Sequence, residues 1–174
     1  MKEQALKMGF EFRFVQKDNK GNIKNDSGWL ENHLTDDGFE EIYEIVFRGD
    51  AGPDGGFEIG LNQQSLTQSS SFADLVEVTG DGYSREAVTR DDTASGFPSL
   101  GLNADNDMEI ESTTVTFENT GTANWDAAVD AFLNSADSTD GEILIAYRPL
   151  SDDRTLQPGE TIDVTIRITG KQPA

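Results

Sequence analysis

The pattern that most restricts the fold of this chain is the alternation of apolar and polar side chains, repeated in short runs from one end to the other. Near the C-terminal end, Ile162, Val164, Ile166 and Ile168 are separated by Asp163, Thr165 and Arg167, and near the N-terminal end Met8, Phe10, Phe12 and Phe14 are separated by Gly9, Glu11 and Arg13. A period of two puts the two sets on opposite faces of an extended strand, so each run predicts a strand with one buried face. Phe57, Ile59 and Leu61 repeat the pattern. Met108, Ile110, Val115 and Phe117 carry it across Ser112-Thr113-Thr114, which predicts two strands or one bulged strand. Tyr83 to Arg90 and Ile143 to Tyr147 read as further strands. Trp125 to Leu133 fits both periods, with Trp125, Ala127, Val129, Ala131 and Leu133 on a strand face or Trp125, Ala128, Val129, Phe132 and Leu133 on a helix face, and strand is the preferred reading.

Turn formers punctuate these runs. Asp18-Asn19-Lys20-Gly21-Asn22 tolerates positive φ and joins Met8–Gln16 to Ile23–Leu30 as a β-hairpin, and Gly80-Asp81-Gly82 and Pro158-Gly159-Glu160 precede later strands. One segment has helical spacing. Thr35 can cap it, Asp36 and Asp37 suit the positive end of a helix dipole, and Phe39, Ile42, Tyr43 and Val46 recur on one face, which predicts a short helix from Asp36 to Phe47 closed by Arg48 and Gly49. Ser69-Ser70-Ser71 offers a cap for a single turn at Phe72–Glu77, expected to cover one end of the sheets. Many short strands and little helix indicate a mainly β protein, an antiparallel β-sandwich of jelly-roll-like form with an N-terminal arm of hairpin and short helix. The expected organisation is an arm at 1–49, a Gly/Asp-rich linker at 50–56, the sandwich at 57–170 and a C-terminal tail at 171–174.

A chain of 174 residues has room for one core. It has no cysteine, which removes disulfides, zinc-thiolate sites and thiol nucleophiles together. No run of about 18 apolar residues occurs, and Met1–Lys7 lacks the apolar stretch of a secretory signal, so neither a membrane span nor export is expected. The 33 acidic residues outnumber the 13 Lys and Arg for a net charge of −20, and they are scattered along the chain. Such a surface repels phosphate backbones, and no basic stripe with interleaved aromatics offsets it, so direct nucleic-acid contact is not expected. Self-repulsion of this size is better tolerated in brine, where the Debye length shrinks from about 8 Å to about 3 Å. A saline habitat and plain solubility both account for the excess.

Reaction chemistry finds little purchase. His33 is the only histidine, so no histidine relay or multi-histidine metal site can form within one chain, and no Gly-x-Ser-x-Gly motif is present. Carboxylate pairs able to flank a glycosidic bond are expected by chance among so many acids. Asn103-Ala104-Asp105-Asn106-Asp107 and Asp50 to Asp54 offer oxygen ligands for Ca²⁺, but neither has the spacing of an EF-hand loop, and Asx turns account for both. Gly52-Pro53-Asp54-Gly55-Gly56 has no Gly-Lys-Ser/Thr and is not a phosphate loop. No cofactor is expected. Trp125 reads as a core residue, and Trp29 as either a core residue or an interface anchor.

Two stretches resemble a known group of proteins. Phe12-Arg13-Phe14, Gly21-Asn22-Ile23 and Trp29 through Phe39 are similar to the opening of small structural proteins of tailed bacteriophages. Phe57–Leu61, Phe72–Val78, Gly82–Glu86, Val115–Phe117, Trp125 and Thr155–Thr161 resemble a β domain of tailed-phage virion proteins. The shared residues are core and turn positions and carry no chemical signature; the acid content is where this chain departs. The resemblance implies a non-enzymatic virion protein, assembled in the host cytoplasm. The expected role is a capsid decoration or cement protein that binds the major capsid protein or other virion proteins as a homo-oligomer. A tail or fibre adaptor and a carbohydrate-binding receptor module are the alternatives, separated by copy number per particle and by glycan binding. The aromatic surface of the first fifty residues exceeds what a hairpin and one helix can bury alone, so either the sandwich or a partner must cover it; a partner is the preferred reading, with Phe10, Phe12, Phe14, Trp29, Leu34, Phe39, Tyr43 and Phe47 as the expected interface.

Overall fold

The computed structural model describes residues 7–48, 52–136 and 141–171. In chain order the elements are β1 (Lys7–Lys17), β2 (Ile23–Glu31), β3 (His33–Leu34), α1 (Asp36–Tyr43), β4 (Phe57–Asn62), β5 (Glu86–Val88), β6 (Ser99–Leu102), β7 (Met108–Glu111), β8 (Val115–Glu118), β9 (Ala128–Ser135), β10 (Leu144–Arg154) and β11 (Thr161–Lys171). The first sheet has the order β2-β1-β11-β7-β6, with β8 also paired to β11, and the second has the order β3-β10-β9-β4-β5. Every strand pairing is antiparallel. The chain crosses between the sheets after β2, β5, β8 and β10. Phe12, Phe14, Val164 and Ile166 from the first sheet meet Ile59, Leu61, Leu133 and Ile145 from the second in one buried core, which makes this a mainly β, antiparallel sandwich.

The hairpin is not an arm. β1 pairs with β11 along its whole length, from Lys7↔Lys171 to Lys17↔Thr161, and lies between β11 and β2 inside the first sheet. The physical reason lies in the two cleanest alternating runs of the sequence. Phe10 pairs with Ile168, Phe12 with Ile166 and Phe14 with Val164, so two half-buried strands of matching period complete one apolar face. Phe10, Phe12 and Phe14 are core residues, and the expected arm shares a sheet and a core with the expected sandwich through β1 and β11. The Gly-rich stretch is likewise no free linker. Pro53 is buried, Gly55 N–H donates to Ala136 O at 2.8 Å, and Gly56 O accepts from Ala136 N–H at 3.0 Å. The proposed cap Gly49, linker residues 50–51 and tail residues 172–174 lie outside the described residues, and Lys171 ends β11.

Other boundaries move for identifiable reasons. Tyr83 plugs the core instead of starting a strand: its ring stacks on Phe117 at 5.9 Å and meets Trp125 edge-on at 5.7 Å, while its hydroxyl accepts from Leu61 N–H at 2.9 Å. The strand expected at 83–90 shrinks to β5. Trp125 precedes β9 and is buried, donating from Nε1 to Asp81 O at 3.0 Å. Ser112–Thr114 divides β7 from β8, and the Ser112 hydroxyl accepts from Ile166 N–H at 3.0 Å to keep both on β11. The turn at Phe72–Asp74 is a 3-10 turn with a Ser71/Asp74 capping box. It covers the outer face of the second sheet, not an end, where Phe72 and Leu75 pack on Leu66, Phe132, Leu144 and Tyr147.

If β1 is integral to the core, Phe12→Ala is expected to lower unfolding free energy by about 3–5 kcal/mol, and urea unfolding followed by tryptophan fluorescence and by far-UV dichroism is expected to give one coincident transition. Two separated transitions would mean that the hairpin folds apart from the sandwich.

Candidate interaction surface

With β1 consumed by the core and β2 at the sheet edge, α1 is the outward-facing element of the first fifty residues that carries clustered aromatic rings. Its start is fixed by Thr35, which is fully buried: the Thr35 hydroxyl accepts from Gly38 N–H at 2.9 Å and donates to Leu144 O, and Thr35 N–H donates to Ile145 O at 3.1 Å. The first turn therefore sits on the backbone of β10. Gly38 makes this approach possible, because a Cβ there would lie 2.0 Å from Ile145 O. Asp36 is held from the other side by Gln68, whose Nε2 donates to its carboxylate at 2.8 Å.

The opposite side of the helix carries aromatic rings in solvent. Phe39, Tyr43 and Phe47 are 40, 55 and 76 % exposed, and their ring centres are 6.4 and 6.0 Å apart in sequence order. An α-helix closes a turn in about 3.6 residues, so positions four apart drift round it. From Glu44 to Arg48 the helix continues as a π turn, whose wider i→i+5 closure reverses that drift and brings Phe47 back into line with Tyr43. Val46 is exposed beside them. Asp36, Asp37, Glu40, Glu41 and Glu44 make this helix strongly acidic, and Arg48 pairs with Glu44.

Of the expected interface, the structure thus brings Phe39, Tyr43 and Phe47 together and leaves them outward. Phe10, Phe12 and Phe14 are withdrawn into the core. Leu34 is half-buried against that core, and Trp29 lies on the outer face of the first sheet with the Arg167 guanidinium 3.9 Å from its ring centre. Leu100, Leu102 and Met108 are exposed at the far end of that sheet and were not expected; two leucines around one glycine are too short a run to give a periodic signal.

Polar clusters on the second sheet tie elements together. Arg85 bridges Glu58 at 3.1 Å, Glu77 at 2.6 Å and Glu142 at 2.6 Å and lies 4.7 Å over the Phe72 ring, clamping the 63–77 segment to β4 and the start of β10. Burial pulls the Arg85 pKa down, and hydrogen bonds to Glu77 and Glu58 more than reverse that. His33 is exposed and stacks on Tyr147 at 5.3 Å. Asp130 is fully buried; one oxygen accepts from Leu66 N–H at 2.5 Å, and the other has no partner among the described residues. Burial pushes its carboxyl above the ordinary range, against the pull of that hydrogen bond and of Arg148 and His33.

On the first sheet, a cleft of about 330 Å³ is lined by Glu11, Asp105, Asp107, Glu109 and Arg167 among others. Its loop is closed by Asn103, whose side-chain oxygen accepts from Asp105 N–H at 2.9 Å and Asp107 N–H at 3.1 Å, an Asx turn completed by Asn106 at φ 63°. Among the described residues no group of three or more His, Asp or Glu is arranged to hold a metal ion, and no helix is long and apolar enough to cross a membrane. Comparison of the chain with family models, with curated proteins and with solved structures finds no significant match in any of the three.

Two substitutions probe this geometry. Alanine in place of glycine inside a helix ordinarily stabilises by about 1 kcal/mol, yet Gly38→Ala is expected to destabilise by about 1–3 kcal/mol in thermal unfolding, because its methyl group meets the β10 backbone. Asp130 binds its proton more tightly folded than unfolded, so its contribution is most favourable below the ordinary value of 3.8 and is lost as pH rises through the raised folded value. Asp130→Asn keeps an acceptor for Leu66 N–H and cannot ionise. Its stability relative to the native chain is expected to rise as pH climbs above the ordinary carboxylate value in urea titrations, whereas a constant difference would show that Asp130 does not titrate there.

Proposed function

We propose that the chain is a non-enzymatic structural protein of a tailed-phage virion, most simply a decoration or cement protein of the head, present in many copies. The resemblance of its core and turn residues to such proteins supports the reading. The observation that carries it is the row Phe39, Tyr43 and Phe47, three rings left in solvent on a helix whose seat on β10 is otherwise tightly built. Aromatic side chains dominate binding energy where a partner buries them, and a helix presenting rings about one turn apart suits an apolar groove. The five acids of this helix call for a groove rimmed by Lys and Arg, as on a partner virion protein such as the major capsid protein, and disfavour a second copy of this acidic chain at the same contact. Hundreds of copies per particle would mark the head, and a ring of a few would mark a tail or fibre adaptor.

The test is to purify phage particles made with the native chain or with the Phe39→Ser, Tyr43→Ser, Phe47→Ser triple variant and to quantify the protein in them by mass spectrometry. The native chain is expected in the particles. The variant is expected to stay folded, with stability within about 1 kcal/mol of native because these rings are outside the core, and to be lost from the particles. A native chain missing from particles would overturn the proposal, as would undiminished incorporation of the variant.

A further inference from the structure

Strand register assigns the exposed leucines of β6 to the core-facing side of the first sheet. Phe10 pairs with Ile168, Ile168 with Ile110 and Ile110 with Leu100, while Met108 pairs with Leu102. Residues directly opposite one another across a ladder share a face, so Leu100, Leu102 and Met108 extend the row that Phe10 begins. Phe12, on that same face, is completely covered by the second sheet, whereas Leu100 and Leu102 are 69 and 65 % exposed. The second sheet stops short of β6, and the apolar face runs on uncovered to the edge.

That edge, though only four residues long, lacks the charge and the register breaks that keep other edges from pairing. β2 is broken by two register shifts and carries Lys24 and Asp26, β3 has two residues, and β5 has three. β6 reads Ser-Leu-Gly-Leu, with no charge, no proline and an unshifted register on β7. An uncharged edge with large apolar side chains is a template for a further strand.

Charge on the other face selects the occupant. Gly101 leaves open space on that face, and beyond it and Ser99 stand Glu109 and Glu111 of β7. Arg167 is shared between Glu11 at 2.9 Å and Glu109 at 3.5 Å and leaves this face acidic. Neighbouring strands lie about 4.8 Å apart, so a strand added beyond β6 would run about 10 Å from the glutamate row, a gap that a Lys or Arg side chain and a Glu side chain close between them. A second copy would bring an identical acidic row and a net charge of −20.

We propose that β6 is a docking edge for an extended segment of another protein in which apolar residues alternate with Lys or Arg. The segment joins the sheet through main-chain hydrogen bonds, its apolar residues lie beside Leu100 and Leu102, and its basic residues reach over Gly101 toward Glu109 and Glu111. This surface is separate from the aromatic row on α1.

The probe is a labelled, end-capped peptide of alternating Val and Lys, titrated into the full chain and followed by fluorescence anisotropy. Saturable binding is expected that weakens with salt and protects the amides of Ser99–Leu102 from hydrogen exchange. Leu100→Ser with Leu102→Ser is expected to weaken it at least about tenfold, and Glu109→Gln with Glu111→Gln by a similar factor. No binding up to about 1 mM would overturn the proposal. So would equal binding of a peptide with its valines and lysines in separate blocks, or exchange protection that misses β6. A dimer of the chain alone that the leucine variant abolishes would assign the edge to a second copy and overturn the proposed occupant.

Discussion

The pairing of β1 with β11 is the constraint on which the other elements depend. Eleven residue pairs in unbroken antiparallel register join the two ends of the described chain. β2 hangs from β1 on one side, and β7 and β8 hang from β11 on the other, so without this ladder the first sheet would fall into separate pieces. It also delivers Phe12 and Ile166 to the same face of the core. Contacts such as Arg167 to Glu11 span 156 residues, but the entropy of closing a loop grows only with the logarithm of its length, roughly 0.6 kcal/mol per doubling. A row of buried Phe, Ile and Val outweighs that readily, since each such side chain contributes about 1.5–3 kcal/mol.

Because β1 is spent on the core, two groups of large apolar side chains stand out on the surface. The helix that crosses from β3 toward β4 is seated by Thr35 and Gly38, and its rings point away from that seat. At another exposed place the first sheet outruns the second, and β6 keeps a core-type face that no described residue covers fully. Both surfaces follow from the geometry of a two-layer fold: a helix can bury only one stripe, and sheets of unequal extent leave an overhang.

The large acid excess is arranged rather than uniform. The bases serve as clamps, Arg85 among Glu58, Glu77 and Glu142, Arg167 between Glu11 and Glu109, and Lys24 on Glu160, whose carboxylate is otherwise buried. With the bases engaged in this way, acidic groups dominate the surroundings of both apolar surfaces. Partners that approach either surface are selected for positive charge before any apolar contact forms.

Local chemistry was legible from residues alone. Alternation at Phe10–Phe14 and Ile162–Ile168 identified strands, Thr35 with Asp36 and Asp37 identified a helix start, and Asp18–Asn22 identified a turn, since period, cap and positive φ are properties of a few consecutive residues. The aromatic content of Phe39, Tyr43 and Phe47 was equally plain. What sequence could not decide was which aromatic rings stay in solvent, because that depends on which strand lies beside β1 and how far the opposite sheet reaches. Phe12 and Phe47 look alike along the chain; a partner strand at the other end of the chain buries one, and the packing of the other's helix on β10 leaves it exposed. Strand periodicity is local and was set by the order of a few consecutive residues, whereas burial is a property of pairs of distant segments, and the tertiary structure alone determined it.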